Sequence, residues 1–181
     1  MDGQVEESHA PSASDQRSLL WLVLSVAAVI IVIDQLTKAW AVAQLKGQPP
    51  IEVVGTWLQF TYGENTGAAF GIGTGFTWIF TSIAIVVAVV IIRTARRLGS
   101  PWWAVALGGL LGGAVGNLID RLTRDPGPGQ GYVVDFIALP NFPVFNVADM
   151  AITISAGLMI LLTLRGVDLS GGRPSAGAGG G

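Results

Sequence analysis

Phe70–Ile92 (FGIGTGFTWIFTSIAIVVAVVII) and Ser100–Ile119 (SPWWAVALGGLLGGAVGNLI) contain no charged residue. Each matches the roughly 20 apolar residues that cross a bilayer as a helix. Outward from this pair, Ser18–Ile33 continues as helix-compatible sequence to Ala43, and Met150–Leu164 approaches spanning length once extended back through Asp149. The expected fold is an all-α membrane protein with four transmembrane helices over residues 18–165. Residues 1–17 and 166–181 are expected to be disordered cytoplasmic tails, the first acidic and Ser-rich, the second Gly-rich.

Orientation follows from basic residues. The link between the two quoted runs holds Arg93, Arg96 and Arg97 and no acid, which assigns it to the cytoplasm. Four spans then place both termini inside, consistent with Arg17 and Arg165, and the longer connections, Gln44–Ala69 and Asp120–Ala148, outside. The chain start is too long and too negative for a signal-peptide n-region, so the first span is expected to be an uncleaved anchor.

Composition narrows the chemistry. The chain is 51% hydrophobic and 12% charged, with a net charge of −2, and no basic stripe points to nucleic acid. Cysteine is absent and the only histidine, His9, lies in the polar tail. Cys–His nucleophiles, Ser–His–Asp triads and zinc sites built on His or Cys are therefore excluded. Any catalysis must use carboxylates, amides, hydroxyls, Lys or Arg.

Asp34, Asp120, Asp135 and Asp149 all fall near the predicted outer membrane surface, where ionisable groups are costly and are functional candidates. Asp34 and Lys38 stand four apart on a helix and can pair. Asp120 is followed at once by Arg121. Those two carboxylates are read as charged and mainly structural or orienting. Asp135, in Tyr132-Val133-Val134-Asp135-Phe136-Ile137, and Asp149, in Phe145-Asn146-Val147-Ala148-Asp149-Met150, have no cation close in sequence and should resist losing a proton. Two carboxyls sharing one proton are the working parts of an aspartic protease. The plainer alternative is a pair of water-facing aspartates, one of them capping the last helix. Asn146 lies three residues before Asp149, and Asn117 three before Asp120, a spacing that places amide and carboxyl on one helix face.

Gly108, Gly112 and Gly116 recur every four residues, as do Gly109 and Gly113, a pattern that lets membrane helices pack closely. Thr56–Tyr62 alternates like a half-buried strand, giving a small extracytoplasmic sheet platform. Asn65 follows in a polar turn and reads equally well as a turn residue. A four-helix ion relay would need polar groups along the whole membrane path, whereas here they cluster at one side. A non-catalytic scaffold leaves the cation-free aspartates without a role.

Five segments, in order, closely resemble the bacterial lipoprotein signal peptidase family (signal peptidase II): Asp34-Gln35-Leu36-Thr37-Lys38, Asn65-Thr66-Gly67-Ala68-Ala69-Phe70, Gly112–Arg121, Val133-Val134-Asp135-Phe136 and Phe145-Asn146-Val147-Ala148-Asp149. The resemblance runs from Leu19 to Leu164. It implies an intramembrane aspartic endopeptidase of the bacterial cell membrane, active at the extracytoplasmic side. The implied substrate is a prolipoprotein carrying diacylglycerol on its cysteine, cut on the N-terminal side of that cysteine. The implied catalytic pair is Asp135 and Asp149, supported by Asn65, Asn117, Asp120, Arg121, Asn146, Asp34 and Lys38. No metal or cofactor is required, and the chain is expected to act as a monomer.

Overall fold

The structure, a computed structural model, describes residues 13–67 and 77–170. Its order is α1 (Ala13–Leu45), β1 (Ile51–Val54), β2 (Leu58–Asn65), α2 (Thr77–Ala95), α3 (Pro101–Thr123), β3 (Val133–Ala138) and α4 (Val147–Leu164). All four helices are long and apolar enough to cross a membrane. The 33 residues of α1 extend about 50 Å at 1.5 Å per residue, so this helix outruns the hydrocarbon layer and carries the sheet on its far end.

Helix α3 is the centre of the bundle. More than half of its spanning window is buried, against 17% in each of the other helices. Its glycines explain why. A Cβ on Gly108 or Gly112 would meet α1 at 2.8 Å, against Val23 and Val26 or against Ala27 and Ile30. A Cβ on Gly109 or Gly113 would collide with Ser155 or with Ala148 and Ile152 of α4. The two glycine rows thus seat two different helices against one backbone.

Three antiparallel strands in the order β1-β2-β3 cap one end of the bundle. Trp40 of α1 packs edge-on against Phe60 and Phe136, with ring centroids 5.4 and 6.2 Å away. Ala41, Leu45, Val134 and Phe136 form the small core beneath. Because side chains alternate along a strand, seating Val134 and Phe136 on α1 turns Asp135 to the opposite face. At the other end of the bundle, Trp103 Nε1 donates to the Val167 carbonyl at 2.8 Å, and Gly99 N–H to that of Leu169 at 2.8 Å.

Several boundaries differ from expectation. Helix α1 begins at Ala13, inside the segment read as an N-terminal tail, with Asp15 in its first turn where the helix dipole favours an acid. Residues 1–12 and 171–181 of the expected tails lie outside the described residues, as do 68–76, where the second span was expected to begin. Strand β1 and strand β3 were not anticipated. Strand β3 is buried on both faces, so it lacks the alternation that marks a half-exposed strand.

Candidate active site

The four aspartates converge at the sheet-bearing end. Asp34 and Lys38 lie one turn apart on α1 and pair at 2.8 Å, as their spacing predicts. Lys38 Nζ also reaches Asp120 Oδ2 at 3.1 Å and donates to Asn117 Oδ1 at 2.9 Å. An ammonium has three protons to give, so this fully buried lysine is saturated. Asp120 takes its second cation from Arg124, at 2.9 Å, and not from Arg121. The expected Asp120–Arg121 pairing is therefore corrected. Adjacent helix residues diverge, whereas residues four apart share a face.

Each ion-paired carboxylate also holds a backbone amide. Asp34 Oδ1 accepts from Ala148 N–H at 2.9 Å, and Asp120 Oδ2 from Val134 N–H at 3.1 Å. Ala148 and Val134 are the residues directly before Asp149 and Asp135. Gln35, which the sequence reading passed over, donates to Asp34 Oδ2 and to the Gly116 carbonyl, both at 3.1 Å, and packs this knot against α3. Its place inside the Asp34–Lys38 motif was the available signal.

Asp135 and Asp149 make no ion pair with any cation among the described residues. Neutral amides hold them instead. Asn65 Nδ2 donates to Asp135 Oδ2 at 2.9 Å, and Asn146 Nδ2 to Asp135 Oδ1 at 2.6 Å. Asn117 Nδ2 donates to Asp149 Oδ1 at 2.9 Å, and the Asn146 backbone N–H to Asp149 Oδ2 at 3.2 Å. Asn146 therefore touches both carboxyls and links them.

Asn146, not Asp149, is the N-cap of α4. Its Oδ1 accepts from Asp149 N–H at 3.0 Å, and Asp149 completes the reciprocal capping box. Capping and clustering thus coexist in one motif. The amide orientations interlock as well: Asn117 Oδ1 accepts from Lys38 and from Asn146 Nδ2, which leaves its Nδ2 facing Asp149. Asn65 is no free turn residue, since it ends β2 opposite Val133.

Asp135 is buried, and burial raises its pKa from the ordinary 3.8 to about 6, with the nearby Asp149 charge adding to the shift and the two asparagine donors opposing it. The carboxyl is thus poised to carry a proton near neutrality.

Arg121 occupies the third wall. Its Nη2 donates to the Gly67 carbonyl at 2.8 Å, and its guanidinium lies 5.5 Å from the Phe80 ring centroid. Its other terminal nitrogen, Nη1, is buried without a hydrogen-bond partner. Arg121 lines a cavity of about 690 Å³ together with Asn65, Asn117 and Asp149, and the remaining walls are mostly apolar. All seven expected supporting residues lie in or beside this assembly.

Fold and site define a polytopic membrane protein with a carboxyl pair at the head of an apolar cavity. The family profile described as "Signal peptidase (SPase) II" matches residues 26–165. The chain belongs to the signal peptidase II family, a family of aspartic peptidases. It is 50% identical over 169 residues to the lipoprotein signal peptidase of Streptomyces griseus, covering 93% of this chain and 86% of that one. It is 46% identical over 159 residues to that of Mycolicibacterium smegmatis, covering 88% and 68%. A solved bacterial membrane enzyme superposes with a TM-score of 0.69 at 32% identity, covering 79% of this chain and 92% of the other.

Proposed function

We propose that this chain removes signal peptides from diacylglyceryl-modified prolipoproteins, cutting on the N-terminal side of the lipidated cysteine, with Asp135 and Asp149 as the catalytic pair. The observation that carries the assignment is the pair itself: two carboxyls joined through Asn146, neither ion-paired, beside a mostly apolar cavity. One carboxylate takes a proton from water, whose oxygen attacks the scissile carbonyl carbon. The other, protonated, donates to the carbonyl oxygen as the tetrahedral intermediate forms. Collapse of the intermediate breaks the C–N bond, and the leaving nitrogen takes a proton from the pair. The asparagines fix the carboxyl geometry without fixing its charge. The free Nη1 of Arg121 offers a donor to a substrate carbonyl.

The arginines of the α2–α3 link support an arrangement with both termini in the cytoplasm and the sheet outside. Mass spectrometry of a diacylated prolipoprotein before and after incubation with the purified protein tests the activity. The expected result is loss of the signal-peptide mass only from the lipidated precursor; equal cleavage of the unlipidated form would point to a broader intramembrane protease. Reporters fused after Arg97 and inserted at Gly129 are expected to read as cytoplasmic and extracytoplasmic, and the reverse would place the pair on the wrong side.

A further inference from the structure

The cavity beside Asp149 is divided by chemistry. Its polar groups gather where Asn65, Asn117, Arg121 and Asp149 meet, and the rest is an apolar wall. The loop between β3 and α4 supplies much of that wall, including Leu139, Phe142 and Phe145. Phe142 is 58% exposed and stacks edge-on against Phe145 at 5.7 Å. Facing the loop, Met150 and Ile154 of α4 also line the cavity, yet they are 42% and 66% exposed on the helix. The same two side chains therefore line the cavity and belong to the apolar exterior of a spanning helix. Of the α4 residues that line the cavity beyond Asp149, all but Thr153 are apolar, so an apolar chain passing toward the bilayer crosses little polar surface.

We propose that the acyl chains of the lipidated substrate leave the site over Met150 and Ile154, with Phe142 setting the chain shapes that pass. The proposal rests on the peptidase reading above. Continuity with the bilayer-facing side of α4 is what selects an acyl chain as occupant. Lipid tails are as apolar as this wall, so moving a tail between them releases little free energy. The wall therefore discriminates by shape and not by binding strength.

The test compares two diacylated precursors that differ only in the acyl chain: dipalmitoyl, and one with a bulky pyrenyl end. For wild type, Phe142→Ala and Ile154→Trp, kcat/KM is measured on both precursors, with thermal melts alongside. Phe142→Ala is expected to raise the pyrenyl-to-palmitoyl ratio about tenfold, and Ile154→Trp to lower it by a similar factor, as steric pockets do. Neither residue touches the polar network, so both variants are expected to melt near wild type. A ratio unmoved by either variant, while wild type cleaves the dipalmitoyl precursor, overturns the acyl path and leaves the peptidase reading intact. An equal effect of Phe142→Ala on both precursors assigns the loop to the peptide and also overturns it. If wild type cleaves neither precursor, the peptidase reading falls first.

Discussion

Asp34 and Asp120 share one end of the bundle with Asp135 and Asp149, yet the two pairs are built in opposite ways. The first pair is fully buried and saturated with cations, Lys38 lying between the two carboxylates and Arg124 beside one. The second pair receives only amide and backbone N–H groups. A cation in direct contact favours the charged form of a carboxyl. Neutral donors orient a carboxyl while leaving its proton negotiable. The difference separates a knot that holds geometry from a pair that can exchange a proton. The knot acts on the pair through the backbone, by gripping the amides of Ala148 and Val134.

The sharpest way to break this comparison is to remove a carboxyl from the second pair. Asp135→Asn and Asp149→Asn are each expected to lower kcat about 10³-fold or more, since an amide neither accepts a proton from water nor shares one. Both proteins are expected to fold. Activity per folded molecule, read beside a thermal melt in detergent, decides it; substantial turnover by Asp135→Asn would transfer the assignment to another pair, with Asp120 and Asp149 the next to test.

The knot is expected to fail differently. Lys38→Met leaves Asp34 and Asp120 facing each other without their shared ammonium, and breaking a buried pair costs about 3–5 kcal/mol. For a chain of this size that is a fall in Tm of roughly 10 °C or more. The expected signature is low yield and a low melt with measurable turnover in the folded fraction. A variant with an unchanged melt and no turnover would place Lys38 in the chemistry and erase the contrast.

Glycine substitutions probe the same contrast more gently. A Cβ on Gly116 would sit 2.7 Å from Asp34 Oδ2, whereas one on Gly157 of α4 would meet nothing within 4 Å. Gly116→Ala is expected to cost about 1–3 kcal/mol by pushing on the knot. Gly157→Ala is expected to leave the melt unchanged or slightly higher, because glycine is a poor helix residue. Equal melts for the two variants would mean that the bundle relaxes around Gly116 and that the knot is loosely held.

Much of this design is legible in the residues themselves. Charge-free runs define the spans, the four-residue glycine rows anticipate the tight faces of α3, and the i, i+4 spacing of Asp34 and Lys38 gives their ion pair. Among the described residues neither Asp135 nor Asp149 gains an ion-pair partner in space, although Arg121 and Lys38 lie close enough to act on both at longer range. What escaped was non-local. Arg124 and not Arg121 pairs with Asp120, because helical phase outweighs adjacency. Strand β3 hides in a stretch that is apolar at every position but Asp135, and its strand character depends on pairing with β2 and packing on α1. The amide orientations of Asn65, Asn117 and Asn146 follow from partners up to 79 residues apart, as with Lys38 and Asn117, which no local pattern encodes.

The smallest expected effect is the most specific to Asp135. Its folded pKa is raised from 3.8 to about 6, chiefly by burial, so its contribution to stability is fully present below about pH 3.8 and is lost as the pH rises to about 6. At about 1.4 kcal/mol per pKa unit, ionisation of this one group costs the fold roughly 3 kcal/mol above that range. Asp135→Asn removes the cost. It also turns an NH₂ group toward Asn65 Nδ2 or Asn146 Nδ2, both of which are donors, and that mismatch costs about 1–3 kcal/mol at every pH. The two effects nearly offset at pH 7.5, where the variant is expected to melt at or slightly above wild type. Near pH 4 wild type has regained its proton and only the mismatch remains, so the variant is expected to melt below wild type. Melts of both proteins across pH 4–8 check this crossing, because groups not coupled to Asp135 cancel in the difference. A difference that stays constant with pH would mean that Asp135 is not the group that burial holds near neutrality, and the proton-sharing half of the comparison would fail with it.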